Sequence, residues 1–464
     1  MCDIEDGGKR RNEDAFHSQP KRQVQGVQSG PKAPSIQAFS SDLLRVYYDR
    51  LFPYPEFCEW FGYRSKPYDM FPEDSKHEAF LFRRELSFTL PGDIYIRYLC
   101  FKGPEQLKEK MMSQQPEKID IGAVFTIPPK NHNTVNKEQG FRPVQRELVF
   151  DIDMDEYDDI RTCCTGANVC RKCWGFMAAA IRCLDAALRE DFGFKHILFI
   201  FSGRRGVHCW VCDEEARKLP NDQRTAVAEY LTLISGAAQS EKRVVLAQKG
   251  CDEIHPSASR AARLCSEVFE GSGGLLEQQD FFNAKLSKCQ LSKACQQLPQ
   301  QVVTQLETHL ASNPGQSSRA IWAFIKSAVK GVAAGKENNR PNAREQKCWA
   351  AEELLIELSY PRLDIGVSKQ MNHLLKAPFC VHPKTGRVCV PIDPSRVADF
   401  FPMEVPTVGS LAAELDSYAG PAVEDLAKTS LKPYMDFFVE QFLRPMQQDL
   451  LRSESLASEA DLSW

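Results

Sequence analysis

The sequence predicts an α+β protein: a mixed β-sheet core with flanking helices, a metal-binding cysteine loop and an inserted helical sub-domain. Short alternating runs cluster between residues 85 and 211, whereas residues 214–357 turn to helical spacing rich in Leu, Ala and Gln, and strand-like segments return at PRLDIGV and GRVCVPI. A chain of 464 residues with 43% apolar content can bury a large core and hold two or more sub-domains. The formal net charge of −4 gives no global basic field, so any nucleic-acid contact must come from a local patch.

Residues 1–38 are rich in Lys, Arg, Gln, Gly, Ser and Pro and lack apolar periodicity, which predicts a disordered basic tail. Its clusters Lys9-Arg10-Arg11 and Lys21-Arg22 read as solvated tail or as a nuclear import signal. Seventeen cysteines without an N-terminal apolar stretch predict a reducing compartment, cytosolic or nuclear. No run of about 18 apolar residues appears, so a soluble chain without a transmembrane helix is expected.

The folded part is expected from Ser40 onwards, where Leu43, Leu44, Tyr47, Tyr48 and Leu51 recur at helical spacing behind a Ser40-Ser41 cap. ELSFTL and DIYIRYLC form a hairpin about Pro91-Gly92-Asp93, and IDIGAVF gives another strand. Trp174, Met177, Ile181, Leu184 and Leu188 mark one helix face that Gly193 terminates. The expected divisions are a core of residues 39–213, a helical sub-domain of 214–357 whose KGVAAGKENNRPNAREQK insert is a loop, a second core segment of 358–406, and a C-terminal helical segment and tail of 407–464.

In LVFDIDMD, Leu148, Phe150 and Ile152 alternate with Val149, Asp151 and Asp153, so a strand places both aspartates on one face. Their Cα atoms would lie about 6.6 Å apart at a rise of about 3.3 Å per residue. Carboxylates so placed can converge on two cations about 3.5–4 Å apart, with Mg²⁺ the expected ion. Asp-x-Asp is also common on solvated strand faces, and the following Asp155, Glu156, Asp158 and Asp159 are expected to be solvated surface. Asp364, between Leu363 and Ile365, can join the pair only through the fold.

Cys163, Cys164, Cys170 and Cys173 form CC-x5-C-x2-C between a strand and a helix, a spacing that suits structural zinc. Cys209 and Cys212 also make a CxxC, but on a strand, where residues three apart face opposite ways; no shared ion is expected there. HILFIF ends at Ser202, Gly203 to Gly206 turn, and VHCWVC returns. Glycines admit close backbone approach and Arg supplies forked donors, so Ser202, Arg205 and His208 could clamp a polyphosphate, or the tip could be an unliganded basic hairpin. His373, Lys376 and His382 follow on an irregular path enforced by Pro378 and Pro383, and offer a point charge and an imidazole donor.

Taken together, ELSFTL, DIYIRY, KIDIGAV, LVFDIDMD, CC-x5-C-x2-C, GFKHILFIFSGRRGVHCWVCD, PRLDIGVSK and NHLLKAPFCVHPKTGRVCVPID resemble the catalytic small subunit of eukaryotic DNA primase, in the archaeo-eukaryotic primase superfamily. The resemblance spans about Ser41 to Pro406. It implies a primase core in which Asp151, Asp153 and Asp364 hold two Mg²⁺ or Mn²⁺ ions and the four cysteines hold Zn²⁺. It further implies that Ser202, Gly203, Arg204, Arg205, Gly206, Val207 and His208, then His373, Leu374, Leu375, Lys376 and His382, contact a ribonucleotide. Glu85 and Arg97 fall at further active-site positions, Glu85 as catalytic, and Asp120 at the ribose 2′-hydroxyl.

The implied activity is DNA-templated synthesis of short RNA primers from ribonucleoside triphosphates on single-stranded DNA, in the nucleus. The implied partners are a large iron–sulfur primase subunit and the catalytic and accessory subunits of DNA polymerase α. Two other readings compete. A sugar-nucleotide transferase would use Asp-x-Asp but has no need of the cysteine loop. A catalytically dead, zinc-stabilised scaffold would tolerate loss of the aspartates and the SGRRGVH turn, which are all present.

Overall fold

The computed structural model describes residues 39–134, 140–235, 242–247, 253–282, 296–335 and 348–462. The basic tail with its two clusters lies outside the described residues. The first helix, Ser41–Arg50, starts where Ser40 Oγ accepts the Leu43 N–H at 3.2 Å, satisfying one of the free donors of its first turn, and it buries Leu44, Tyr47 and Tyr48.

Nine described strands follow: β1 (Arg84–Leu90), β2 (Ile94–Leu99), β3 (Lys118–Phe125), β4 (Pro143–Gln145), β5 (Leu148–Asp153), β6 (Ile197–Phe201), β7 (Gly206–Val211), β8 (Leu375–Lys376) and β9 (Pro391–Ile392). They form two sheets, one in the order β2-β1-β3-β4 with β8 also on β3, the other β5-β7-β6-β9. The α+β class holds. Every described pairing is antiparallel, so neither sheet is mixed. Tight turns at Pro91–Asp93 and Ser202–Arg205 impose that direction on β1–β2 and β6–β7. Gly92, at φ 79°, takes a left-handed conformation without a Cβ penalty.

The helix Arg171–Glu190 buries one whole face, from Trp174 through Ile181 to Leu188, and packs on the helix Pro256–Glu270. Helices of residues 256–359 share a single hydrophobic core with both sheets, within one compact unit. The KGVAAG part of the expected loop is helical instead, as the end of the helix Ser318–Gly335; residues 336–347 lie outside the described ones.

PRLDIGV is not a strand. Asp364 caps a five-residue helix, Ile365–Lys369, its Oδ1 accepting the Gly366 N–H at 3.0 Å, so a polar capping group overrides the alternation of Leu363 and Ile365. GRVCVPI contributes only β9 and two isolated bridges, Val381 to Val388 and Arg387 to Thr407. At the C-terminus the helices Lys432–Phe437 and Arg444–Leu462 run on through a π turn, Phe438–Leu443. Phe438 docks that run on the core, its ring 5.5 Å from Trp60 and 5.1 Å from Phe379.

Candidate active site

A cleft of about 350 Å³ opens where the two sheets meet. The second sheet supplies its acidic wall, because β5 carries Asp151 and Asp153 and the capped turn after residue 360 brings in Asp364. The link is direct: the Asp364 backbone N–H donates to Asp151 O at 3.0 Å. Lys118 from β3 and Lys376 from β8 come from the first sheet, while Arg204 and Arg205 sit on the β6–β7 turn. Four cations therefore face three carboxylates, a balance suited to a polyphosphate carried with divalent cations. Lys118 was missed in the sequence, although it lies two residues before Asp120 on the same strand face.

Asp151 stands opposite His208 in the β5–β7 register, and Asp153 opposite Gly206. Gly206 is required there: a Cβ would lie 2.4 Å from Asp153 Oδ1 and 2.5 Å from Ile152 O. The turn is closed by Gly206 N–H to Ser202 Oγ at 3.0 Å and held from outside by Lys376 Nζ to Ser202 O at 3.0 Å. Thr385 Oγ1 donates to Gly203 O at 2.6 Å, and a Cβ on Gly203 would meet His382 Cβ at 2.7 Å. Close packing thus fixes the tip before any ligand arrives.

Burial, then the charges of Asp153 and Asp364, push the Asp151 carboxyl up to about 7. Its Oδ1 is buried and accepts no hydrogen bond among the described residues; His208 Nε2 lies 3.6 Å away. A buried oxygen without a donor, beside two further carboxylates, fits a divalent cation. Arg205 Nη2 lies 2.9 Å from Asp153 Oδ2 and 2.8 Å from Asp155 Oδ2. Burial followed by the Lys376 and Lys118 charges pushes His208 down to about 3, and burial followed by Lys376 and Arg204 does the same to His382. Both imidazoles are neutral at pH 7. His382 Nδ1 accepts the Lys384 N–H at 3.2 Å, which leaves its ring proton on Nε2 as a donor.

His373, Leu374 and Leu375 also line the cleft, whereas Val207 is fully buried and can offer a ligand only its backbone. Asp120 stands beside the cleft: it pairs with Lys376 across β3–β8, and Lys118 Nζ lies 3.0 Å from its Oδ1. Glu85 does not line it. Its carboxylate is buried in a two-pronged pair with Arg97, at 3.0 and 3.2 Å.

Of the acidic run after β5, Glu156 is exposed as expected, but the three aspartates are not free surface. Asp155 pairs with Arg205; Asp158 pairs with Arg161 and accepts the Gly166 N–H at 2.6 Å; Asp159 pairs with Arg243 and Arg362. Each of these three aspartates thus neutralises an arginine the fold has placed beside it, a pairing that periodicity does not reveal.

The sulfurs of Cys163, Cys164, Cys170 and Cys173 lie within 4.8 Å of one another, placed to hold one metal ion. Zinc–sulfur bonds of about 2.3 Å in a tetrahedron put sulfurs about 3.8 Å apart, and the Cys170 and Cys173 sulfurs are 3.9 Å apart. Gln279 Nε2 reaches Cys163 Sγ at 3.4 Å and Lys172 O at 2.6 Å, a tie with no signal in the sequence. Cys209 and Cys212 are buried in β7 and the residue after it, and neither joins a metal-binding group among the described residues.

The family model described as DNA primase small subunit matches residues 150–394. The DNA primase small subunit of Drosophila melanogaster is 42% identical over 438 residues, 90% of this chain and 93% of the relative. That of Schizosaccharomyces pombe is 38% identical, covering 83% and 82%, and that of Saccharomyces cerevisiae 34%, covering 86% and 90%.

Proposed function

The chain belongs to the DNA primase small-subunit family, a family of nucleotidyltransferases that prime DNA replication, and from that membership we propose a two-metal synthesis of short RNA primers in this cleft. The observation that carries the mechanism is the meeting of Asp151, Asp153 and Asp364 with four cations around one opening.

The three aspartates would hold Mg²⁺ or Mn²⁺. When bound, the ions supply Lewis acidity to a 3′-hydroxyl and neutralise the departing pyrophosphate. Arg204, Arg205 and Lys376 bind the triphosphate of the incoming ribonucleotide, and the neutral His382 donates Nε2–H to it. Ser202 and the two turn glycines hold that clamp in shape, so little ordering is left to the moment of binding. Asp120, beside Lys118 and Lys376, would meet a ribose hydroxyl. The four-cysteine loop would hold zinc and brace the root of the helix Arg171–Glu190.

A small subunit by family implies a large one, and we extend the proposal to the iron–sulfur primase subunit, DNA polymerase α and a nuclear location. No described helix is long and apolar enough to cross a membrane.

The test incubates the purified chain with single-stranded DNA, labelled ribonucleotides and Mg²⁺ or Mn²⁺, beside Asp153→Asn. Wild type is expected to make dinucleotides and longer products, and the variant to lose at least about a hundredfold in rate. Equal product from both would overturn the assignment.

A further inference from the structure

Asp364 reaches β5 after some two hundred residues of intervening chain, and the order of that chain alone cannot fix a carboxylate to within an ångström. Two anchors do so. Downstream, the Asp364 N–H donates to Asp151 O at 3.0 Å, and Ser368 Oγ donates to Val149 O at 2.7 Å. Upstream lies Arg362, 9% exposed. Its backbone N–H donates to the Tyr157 hydroxyl at 3.1 Å, its Nη1 to Glu156 O at 2.6 Å and to the Asp159 carboxylate, and its Nη2 to Glu357 O at 3.3 Å. Its guanidinium lies over the Tyr157 ring, 5.3 Å from the centroid. Arg243 bridges Asp159 and Glu357 at 3.2 and 2.9 Å, closing the network.

We propose that Asp159 and Arg362 are positioning residues for the third metal ligand, and that their pair sets the affinity of the Asp151–Asp153–Asp364 site for a divalent cation. The inference rests on those three aspartates being the metal ligands. Asp159 follows Asp153 by six residues, and Arg362 precedes Asp364 by two. The pair therefore ties the chain leaving one ligand to the chain entering another. A guanidinium suits this because its planar fork can hold a carboxylate and two backbone carbonyls at once, which an ammonium cannot do with the same fixed geometry. Groups that orient metal ligands without touching the ion typically change affinity by about 10–100-fold.

The experiment measures Mn²⁺ binding to the full chain without nucleotide, by the electron paramagnetic resonance signal of free Mn²⁺. Asp159→Asn is expected to weaken binding about tenfold. Tyr157→Phe, which removes only the hydroxyl that accepts the Arg362 N–H, should weaken it to a smaller but measurable degree. Raising Mn²⁺ should restore the primer-synthesis rate of Asp159→Asn, as expected of a group that never touches the ion. Wild-type Mn²⁺ affinity in both variants, with binding lost in Asp364→Asn, would overturn the positioning role and leave the metal site standing. Wild-type affinity in Asp364→Asn would overturn the ligand assignment beneath it. Should Asp159→Asn not fold, Tyr157→Phe decides alone.

Discussion

Asp151 carries a buried oxygen that meets no donor among the described residues and a carboxyl pushed up to about 7, first by burial and then by Asp153 and Asp364. His208 and His382, at about 3, do not change charge between pH 6 and 8, so in this range Asp151 is the residue of the three that titrates. A cation binds the carboxylate and must displace the proton where one is held. Mn²⁺ affinity should therefore be nearly constant above pH 8 and fall as pH drops through 7, approaching about tenfold per unit below it. Calorimetric titration at pH 6, 7 and 8 checks this, and an affinity independent of pH would show that Asp151 is already ionised in the metal-free protein. The residues behind the shift were legible to different degrees. Asp151 and Asp153 follow from a period of two, but Asp364 gains meaning only from the fold.

Elements with a clean period were legible: the capped helix Ser41–Arg50, the β1–β2 hairpin, β5, and the long helix Arg171–Glu190. Segments governed by one polar contact were not. PRLDIGV alternates like a strand yet becomes a helix start because Asp364 caps it, and Asp155, Asp158 and Asp159 look like surface until their arginine partners are placed. Gln279 is another such residue, a single amide in LLEQQD that joins a distant helix to the cysteine loop. Besides Cys163 and Lys172, it accepts the Thr162 N–H at 2.9 Å and is 1% exposed. Gln279→Ala would leave that N–H unpaired and free the Cys163 thiolate to move. Zinc transfer to a coloured chelator should then run about 10–100-fold faster than in wild type. An unchanged transfer rate in a folded variant would mean that the loop holds its metal without this brace.

Across the whole molecule the two sheets must stay in register with each other, since one carries the aspartates and the other Lys118 and Lys376. Glu147, fully buried just before β5, is the joint. Arg84 of β1 donates to both of its oxygens at 2.9 Å, Arg146 to Oε2 at 2.8 Å, and the Tyr63 hydroxyl to Oε1 at 2.6 Å. Arg84 also reaches Gly122 O at 3.1 Å, and Arg146 reaches Ile121 O at 3.2 Å and His373 O at 3.4 Å, so one carboxylate gathers β1, β3, β5 and the lip of the cleft. Burial alone would raise the Glu147 carboxyl; the Arg84 and Arg146 charges and the tyrosine hydroxyl outweigh it and hold it well below 4.5. A carboxyl depressed on folding contributes stability that is complete above its unfolded value near pH 4.3 and is lost as pH falls from there toward the folded value. Glu147→Gln, which strands two buried guanidiniums, should cost about 3–5 kcal/mol at pH 7. That deficit should shrink as pH falls below about 4.3, because wild type then loses the same contribution. Urea unfolding of both proteins at pH 7 and pH 3.5 measures the gap; one that stays constant or widens in acid would place the sheet-to-sheet joint elsewhere.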